Sequence, residues 1–170
     1  MTSHMTTEDL REKAPLWAWL ASSLVVVSVV SALGGAMTAT SIEEWYPTLL
    51  KPDATPADAV FPAVWSILFA MMGIAAFLVL RASGGFEAGR TALVAYGAQL
   101  ALNILWSAIF FGLRMPLVAA FEIIVLLAAI CMTIALFWRW SRTGALLLVP
   151  YALWVAFATW LTWSIALLNL

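Results

Sequence analysis

Histidine and cysteine are nearly missing from this sequence: His4 and Cys131 are the only ones. No cluster with metal-ligand spacing can be assembled, and no histidine within the apolar runs is there to hold a haem iron. A single cysteine cannot close a disulfide within the chain. Charge is scarce as well, with Asp, Glu, Lys and Arg making up 10% of 170 residues and a formal net charge of −1. The lack of a basic stripe argues against a nucleic-acid partner. There is no Gly-x-Ser-x-Gly elbow, no phosphate-cradling glycine loop and no carboxylate pair at catalytic spacing. A chain of intramembrane acids, expected of a proton-coupled pump, is absent. So are the broken, repeated halves of a conventional secondary transporter.

What is there is apolar. Hydrophobic residues make up 65% of the chain and the mean hydropathy is +1.01, which no soluble core of this size needs. The fold class expected is an all-α integral membrane bundle. Five runs, at 16–37, 59–80, 91–113, 116–138 and 144–168, meet the ~20 apolar residues a spanning helix requires. The first run exceeds the ~7–15 residues of a leader's apolar core, so it reads as a helix. Residues 1–14 form a polar tail, in which Ser3-His4-Met5 reads as a tag remnant; residues 15–170 form the membrane domain, with 38–58 as a lid loop. Arg11, Lys13, Arg81, Arg90, Arg139 and Arg142 fall on one side, and Lys51 and Arg114 on the other. Basic residues favour the cytoplasmic face, so the N-terminus is expected inside and the first loop outside.

Prolines at 47, 52, 56 and 62 fix φ and remove backbone donors, so the first loop cannot be one long helix. Pro62 suits the first turn of the helix that follows. Ten tryptophans are the least ordinary feature. Trp17, Trp19, Trp138 and Trp140 lie at run ends and fit an aromatic belt. Trp65, Trp106 and Trp154 do not: at ~1.5 Å per residue, Trp65 lies roughly 10 Å inside its span. Trp160 and Trp163 lie nearer the outer end of the fifth run. These deep indoles either pack between helices or converge on a pocket beneath Trp45 and Tyr46.

Helical spacing puts Tyr96, Gln99, Asn103, Trp106 and Phe110 on one face of the third run. Tyr151, Trp154, Ala158 and Thr162 share a face of the fifth, and Phe61, Trp65, Phe69 and Met72 a face of the second. Lipid cannot satisfy polar groups at these depths. Gln99 and Asn103 therefore either make interhelical hydrogen bonds, worth ~0.6–2 kcal/mol, or face a cavity. Glu122, deep in the fourth run, is a functional acid by default, or a protonated acid bonded to a neighbouring helix. Gly97 and Ala101 form a small-xxx-small pair suited to a homodimer through the third helix. The sum is an aromatic site for a large, flat, apolar ligand, since indole faces stack on π-systems while the N–H groups meet carbonyls or carboxylates.

Several separated motifs sharpen this. They are Trp45-Tyr46 with Lys51-Pro52, Val60-Phe61-Pro62 with Val64-Trp65, and Gln99-Leu100 with Asn103 and Trp106. Phe110-Phe111-Gly112, Pro150-Tyr151, Trp154, Phe157-Ala158-Thr159 and Leu168-Asn169 complete the set. In this order, over about residues 16–169, the chain resembles the TspO/translocator-protein family (tryptophan-rich sensory protein, peripheral benzodiazepine-receptor type). The resemblance implies a five-helix bundle, usually dimeric, in the cell envelope of a bacterium for a bacterial member, with the first loop over a pocket. It implies protoporphyrin IX, haem or another tetrapyrrole as ligand, with cholesterol in animal members and synthetic isoquinolines or benzodiazepines besides. Matched residue by residue, Trp65, Asn103, Trp154 and Ala158 fall at pocket positions and Trp45, Tyr46 and Lys51 at the lid.

Two departures stand out. Lys51-Pro52-Asp53-Ala54-Thr55-Pro56-Ala57 replaces Lys-Pro-x-Trp-x-Pro-Pro, giving a less bulky lid. Nothing basic follows Tyr151, so the cholesterol pattern of animal members is not met.

The expected ligand-binding set is Trp45, Tyr46, Lys51, Phe61, Trp65, Phe69, Gln99, Asn103, Trp106, Tyr151, Trp154 and Ala158. No metal and no resident cofactor is required; the partners are a tetrapyrrole or similar hydrophobic molecule, membrane lipids and a second copy. Three functions remain open: a binder or sensor that also transports its ligand; an enzyme-like, light-dependent porphyrin degradation with Trp65 and Trp154 as electron donors; or a scaffold whose tryptophans only pack.

Overall fold

The computed structural model describes residues 15–170; the tail 1–14, with His4, Arg11 and Lys13, lies outside the described residues, as does the side chain of Thr40. Apolar runs become helices because each buries its own backbone polar groups, the only open-chain solution inside a bilayer. The helices are α1 (Leu16–Glu44), α2 (Val60–Ser83), α3 (Phe86–Ser107), α4 (Pro116–Trp138), α5 (Arg142–Leu147) and α6 (Val149–Leu168). With α5 and α6 counted as one span, five are long and apolar enough to cross a membrane. The chain is a multi-pass, all-α membrane protein. Val25, Ile67, Val94, Phe121 and Leu153 project outward and are more than half exposed, a pattern suited to acyl chains and not to water.

Local chemistry sets the ends. Pro116 and Pro150 sit in the first turns of α4 and α6, where a missing N–H costs nothing. Gly84, at φ 74°, ends α2 in the left-handed conformation, and the Gly85 N–H returns to the Leu80 carbonyl at 3.0 Å. The Ser141 hydroxyl caps α5 by accepting from the Gly144 N–H at 3.0 Å.

Three departures from the expected boundaries bear on the site or its supports. Residues 38–44, read as lid, are the last turns of α1; they are polar, but contain neither proline nor glycine to stop a helix. The loop proper is 45–59, opening with a short 3₁₀ turn, Tyr46–Thr48. The third helix starts at Phe86 rather than 91, because Glu87 and Arg90 extend it beyond the apolar run. The fifth run breaks at Leu148, two residues before Pro150, whose ring cannot continue an existing helix.

After Ser107 the third span widens into a π turn, Ala108–Gly112, with the Leu113 N–H reaching the Ala108 carbonyl at 2.8 Å. The Phe111 carbonyl accepts instead from the Ser41 hydroxyl of α1, at 2.6 Å. Turns of this kind recur at functional sites.

Helix association in lipid depends on close packing rather than on escape from water. Gly73 of α2 meets α1 so closely that an added Cβ would lie 2.9 Å from Leu24 Cδ2 and 3.1 Å from Val27 Cγ2. Gly73→Leu is therefore expected to lose ~1–3 kcal/mol by overpacking, read as a lower melting temperature in detergent. Gly97→Ala, whose methyl meets nothing within 4 Å in a single copy of the chain, should melt no lower than the wild type as a monomer.

Candidate ligand cavity

Every span contributes to one cavity of ≈280 Å³ beneath the first loop. From α2 come Phe61, Trp65 and Phe69; from the third span Asn103, Trp106, Phe110 and Phe111; from α6 Trp154, Ala158 and Thr162. Ile123 and Leu126 of α4 close one side, and the small face of α1, Gly34, Gly35 and Thr38, leaves room on another. Tyr46 and Asp58 of the loop line the outer part.

Neighbouring rings hold the wall aromatics in place. Trp154 meets Phe61 edge-on at 5.8 Å, and Trp65 meets Phe69 at 5.5 Å and Tyr151 at 6.1 Å between centroids. Trp106 stacks on Phe110 at 5.2 Å with 21° between the planes. Such pairs contribute ~0.5–1.5 kcal/mol beyond area burial and fix ring orientation. The Trp106 indole N–H is buried and has no acceptor among the described residues.

Below the wall lies a polar knot. The Tyr151 hydroxyl donates to Gln99 Oε1 at 2.9 Å, and Asn103 Nδ2 donates to the Tyr151 oxygen at 3.3 Å. All three side chains are buried. Gln99 thus makes the interhelical bond that was one of its two readings, while Asn103 does both, bonding across helices and lining the cavity.

The first loop is tied down at two points. Tyr46 is buried against Phe110 and Phe111 at 6.4 and 5.9 Å. Burial first, and the Asp58 charge second, push its phenol up to about 12, so it is uncharged at any physiological pH. Lys51 Nζ donates to the Tyr46 carbonyl at 3.0 Å and lies 4.2 Å over its ring, a cation–π contact. Farther along, the Asn169 amide grips Leu50 twice, accepting from its N–H at 3.0 Å and donating to its carbonyl at 2.9 Å.

Of the twelve expected site residues, eight line the cavity: Tyr46, Phe61, Trp65, Phe69, Asn103, Trp106, Trp154 and Ala158. Trp45, Lys51, Gln99 and Tyr151 do not. Trp45 packs edge-on against Phe110 at 5.7 Å, Lys51 holds Tyr46, and Gln99 with Tyr151 supports Asn103. Trp160 and Trp163 also stay outside: Trp160 is 47% exposed, and Trp163 meets the outward-facing Phe121 edge-on at 5.0 Å. Glu122 is not in the wall, and neither carboxyl oxygen has a partner among the described residues, so it makes no bond to a neighbouring helix. No group of metal-ligating side chains comes together among the described residues. Asp58, Phe111 (named above only within the Phe110-Phe111-Gly112 motif) and the small face of α1 line the cavity without being among the twelve expected residues. Gly34-Gly35 within an apolar run was the available signal for the last.

The family model for the TspO/MBR family matches residues 22–168. The chain is similar to the tryptophan-rich protein TspO of Chlorobaculum tepidum, 39% identical over 150 residues that cover 88% of this chain and 95% of the relative. It is similar to the tryptophan-rich sensory protein of Cereibacter sphaeroides, at 31% over 90% and 92% of the two chains. The human translocator protein is 37% identical over 71% of this chain and 72% of its own.

Proposed function

This chain belongs to the TspO/MBR family, and from that premise we propose that it is a membrane receptor or sensor for a flat, apolar ligand of the tetrapyrrole class, such as protoporphyrin IX or haem, bound beneath the first loop. One observation carries the reading: indoles from three spans, Trp65, Trp106 and Trp154, line a single cavity. Aromatic walls with few, fixed polar groups are what a small-molecule site needs. Stacking on indole faces supplies affinity, and Asn103 with the free Trp106 N–H offers donors to a ligand acceptor. Carriage of the ligand belongs to the same proposal, in keeping with a relative named as a translocator. So do a cytoplasmic N-terminus, a lid on the outer face of a bacterial envelope, and a homodimer through α3, where Gly97 and Ala101 are exposed.

Protoporphyrin IX titrated into the protein in nanodiscs should quench tryptophan emission saturably. In Trp65→Phe/Trp154→Phe the midpoint should rise at least about tenfold, the loss of ~1.4 kcal/mol. An unchanged midpoint in the double variant would remove both indoles from the site. Illuminating the same samples tests light-dependent degradation: a Soret band that bleaches no faster bound than free leaves plain binding.

A further inference from the structure

Charge is distributed unevenly around this cavity. Asp58 is the one acidic or basic side chain among the described residues that line it. It is also exposed, which puts its carboxylate at the mouth rather than in the floor. The remaining wall is aromatic, aliphatic or neutral, and its phenol, Tyr46, is uncharged.

The cations of the same region are turned elsewhere. Lys51 does not line the cavity; its ammonium group is engaged by the Tyr46 carbonyl and ring. Arg114 pairs with Glu44 at 3.6 Å. A carboxylate on an incoming ligand therefore finds no cation in the wall and a like charge at the rim. With apolar walls on several sides, that repulsion acts through less water than on an open surface.

We propose that Asp58 determines the specificity of the cavity, favouring flat apolar ligands whose mouth-side edge is uncharged or cationic over ligands that carry carboxylates there. The proposal rests on the tetrapyrrole reading above and narrows it. Esterified, amidated or amine-bearing macrocycles fit, and free dicarboxylates enter against the field of Asp58.

The test compares protoporphyrin IX, which bears two propionates, with its dimethyl ester. Both are titrated by tryptophan quenching in nanodiscs of zwitterionic lipid, using the wild type, Asp58→Asn and Asp53→Asn. Asp53 is exposed on the same loop but does not line the cavity, so its variant removes an equal charge at the wrong place. Asp58→Asn should tighten the diacid about three- to tenfold, as one like-charge contact at partial solvent exposure predicts. It should leave the ester within about twofold, and the gain should shrink as salt is raised toward 1 M. Asp53→Asn should change neither ligand.

If Asp58→Asn shifts acid and ester equally, or neither, or matches Asp53→Asn, the proposal is overturned while ester binding keeps the tetrapyrrole reading intact. If neither porphyrin binds the wild type, the reading fails and takes the proposal with it.

Discussion

Ala158→Phe is expected to abolish porphyrin binding while leaving the bundle folded. Ala158 lies one turn beyond Trp154 on α6 and lines the cavity beside it. The phenyl ring added there projects into the ≈280 Å³ space, so the macrocycle and the new ring cannot both lie against Trp154. An affinity loss of at least ~100-fold, or ~2.7 kcal/mol, should follow. The melting temperature should hold or rise, because the ring fills an existing space instead of forcing packed helices apart. Normal binding by a folded Ala158→Phe protein would show that the ligand sits elsewhere.

The second large effect is on stability. Tyr151→Phe deletes one hydroxyl but strands two partners, Gln99 Oε1 and Asn103 Nδ2, in a region with little water. Interhelical hydrogen bonds in membranes average only ~0.6 kcal/mol, because the unfolded chain also finds partners in the bilayer. Leaving buried groups unpaired costs more, ~1–3 kcal/mol. Gln99, Asn103 and Tyr151 are all buried, so the larger figure should govern, with a loss near 2 kcal/mol in a detergent melt. Adding Gln99→Leu to Tyr151→Phe should restore part of the stability, since one orphaned carbonyl disappears. If the single variant melts with the wild type, the knot positions Asn103 without stabilising the fold.

The spans were legible because hydropathy over some twenty residues is a strong signal in lipid. Helical spacing then gave the inward faces of α2, α3 and α6, including Trp65, Asn103 and Trp154. Polarity misled at 38–44, where a helix simply outlasts its apolar run. Direction within the loop was not legible either: nothing local told that Tyr46 points in while Trp45 and Lys51 pack around it. The π turn left no composition mark, so Phe110 and Phe111, neighbours in sequence, were not read as lining the same cavity. Asp58 escaped because an acid in a polar loop looks like ordinary solvated surface until the cavity beside it is seen. Trp160 and Trp163 show the converse, deep indoles whose place is at the lipid boundary.

The grip of Asn169 on Leu50 makes the covering segment asymmetric in time. Its first half is fastened to the end of the last helix and seated on Phe110 and Phe111. In its second half, the hydrogen bonds of Thr55 run only back to Pro52. The stretch from Asp53 to Ala59, whose described hydrogen bonds reach only neighbouring residues, is expected to be the part that moves when a ligand enters or leaves. Substitutions in that stretch away from Asp58 are expected to change the rate of porphyrin release more than its equilibrium affinity, which rests on the walls beneath and on Asp58 at the mouth.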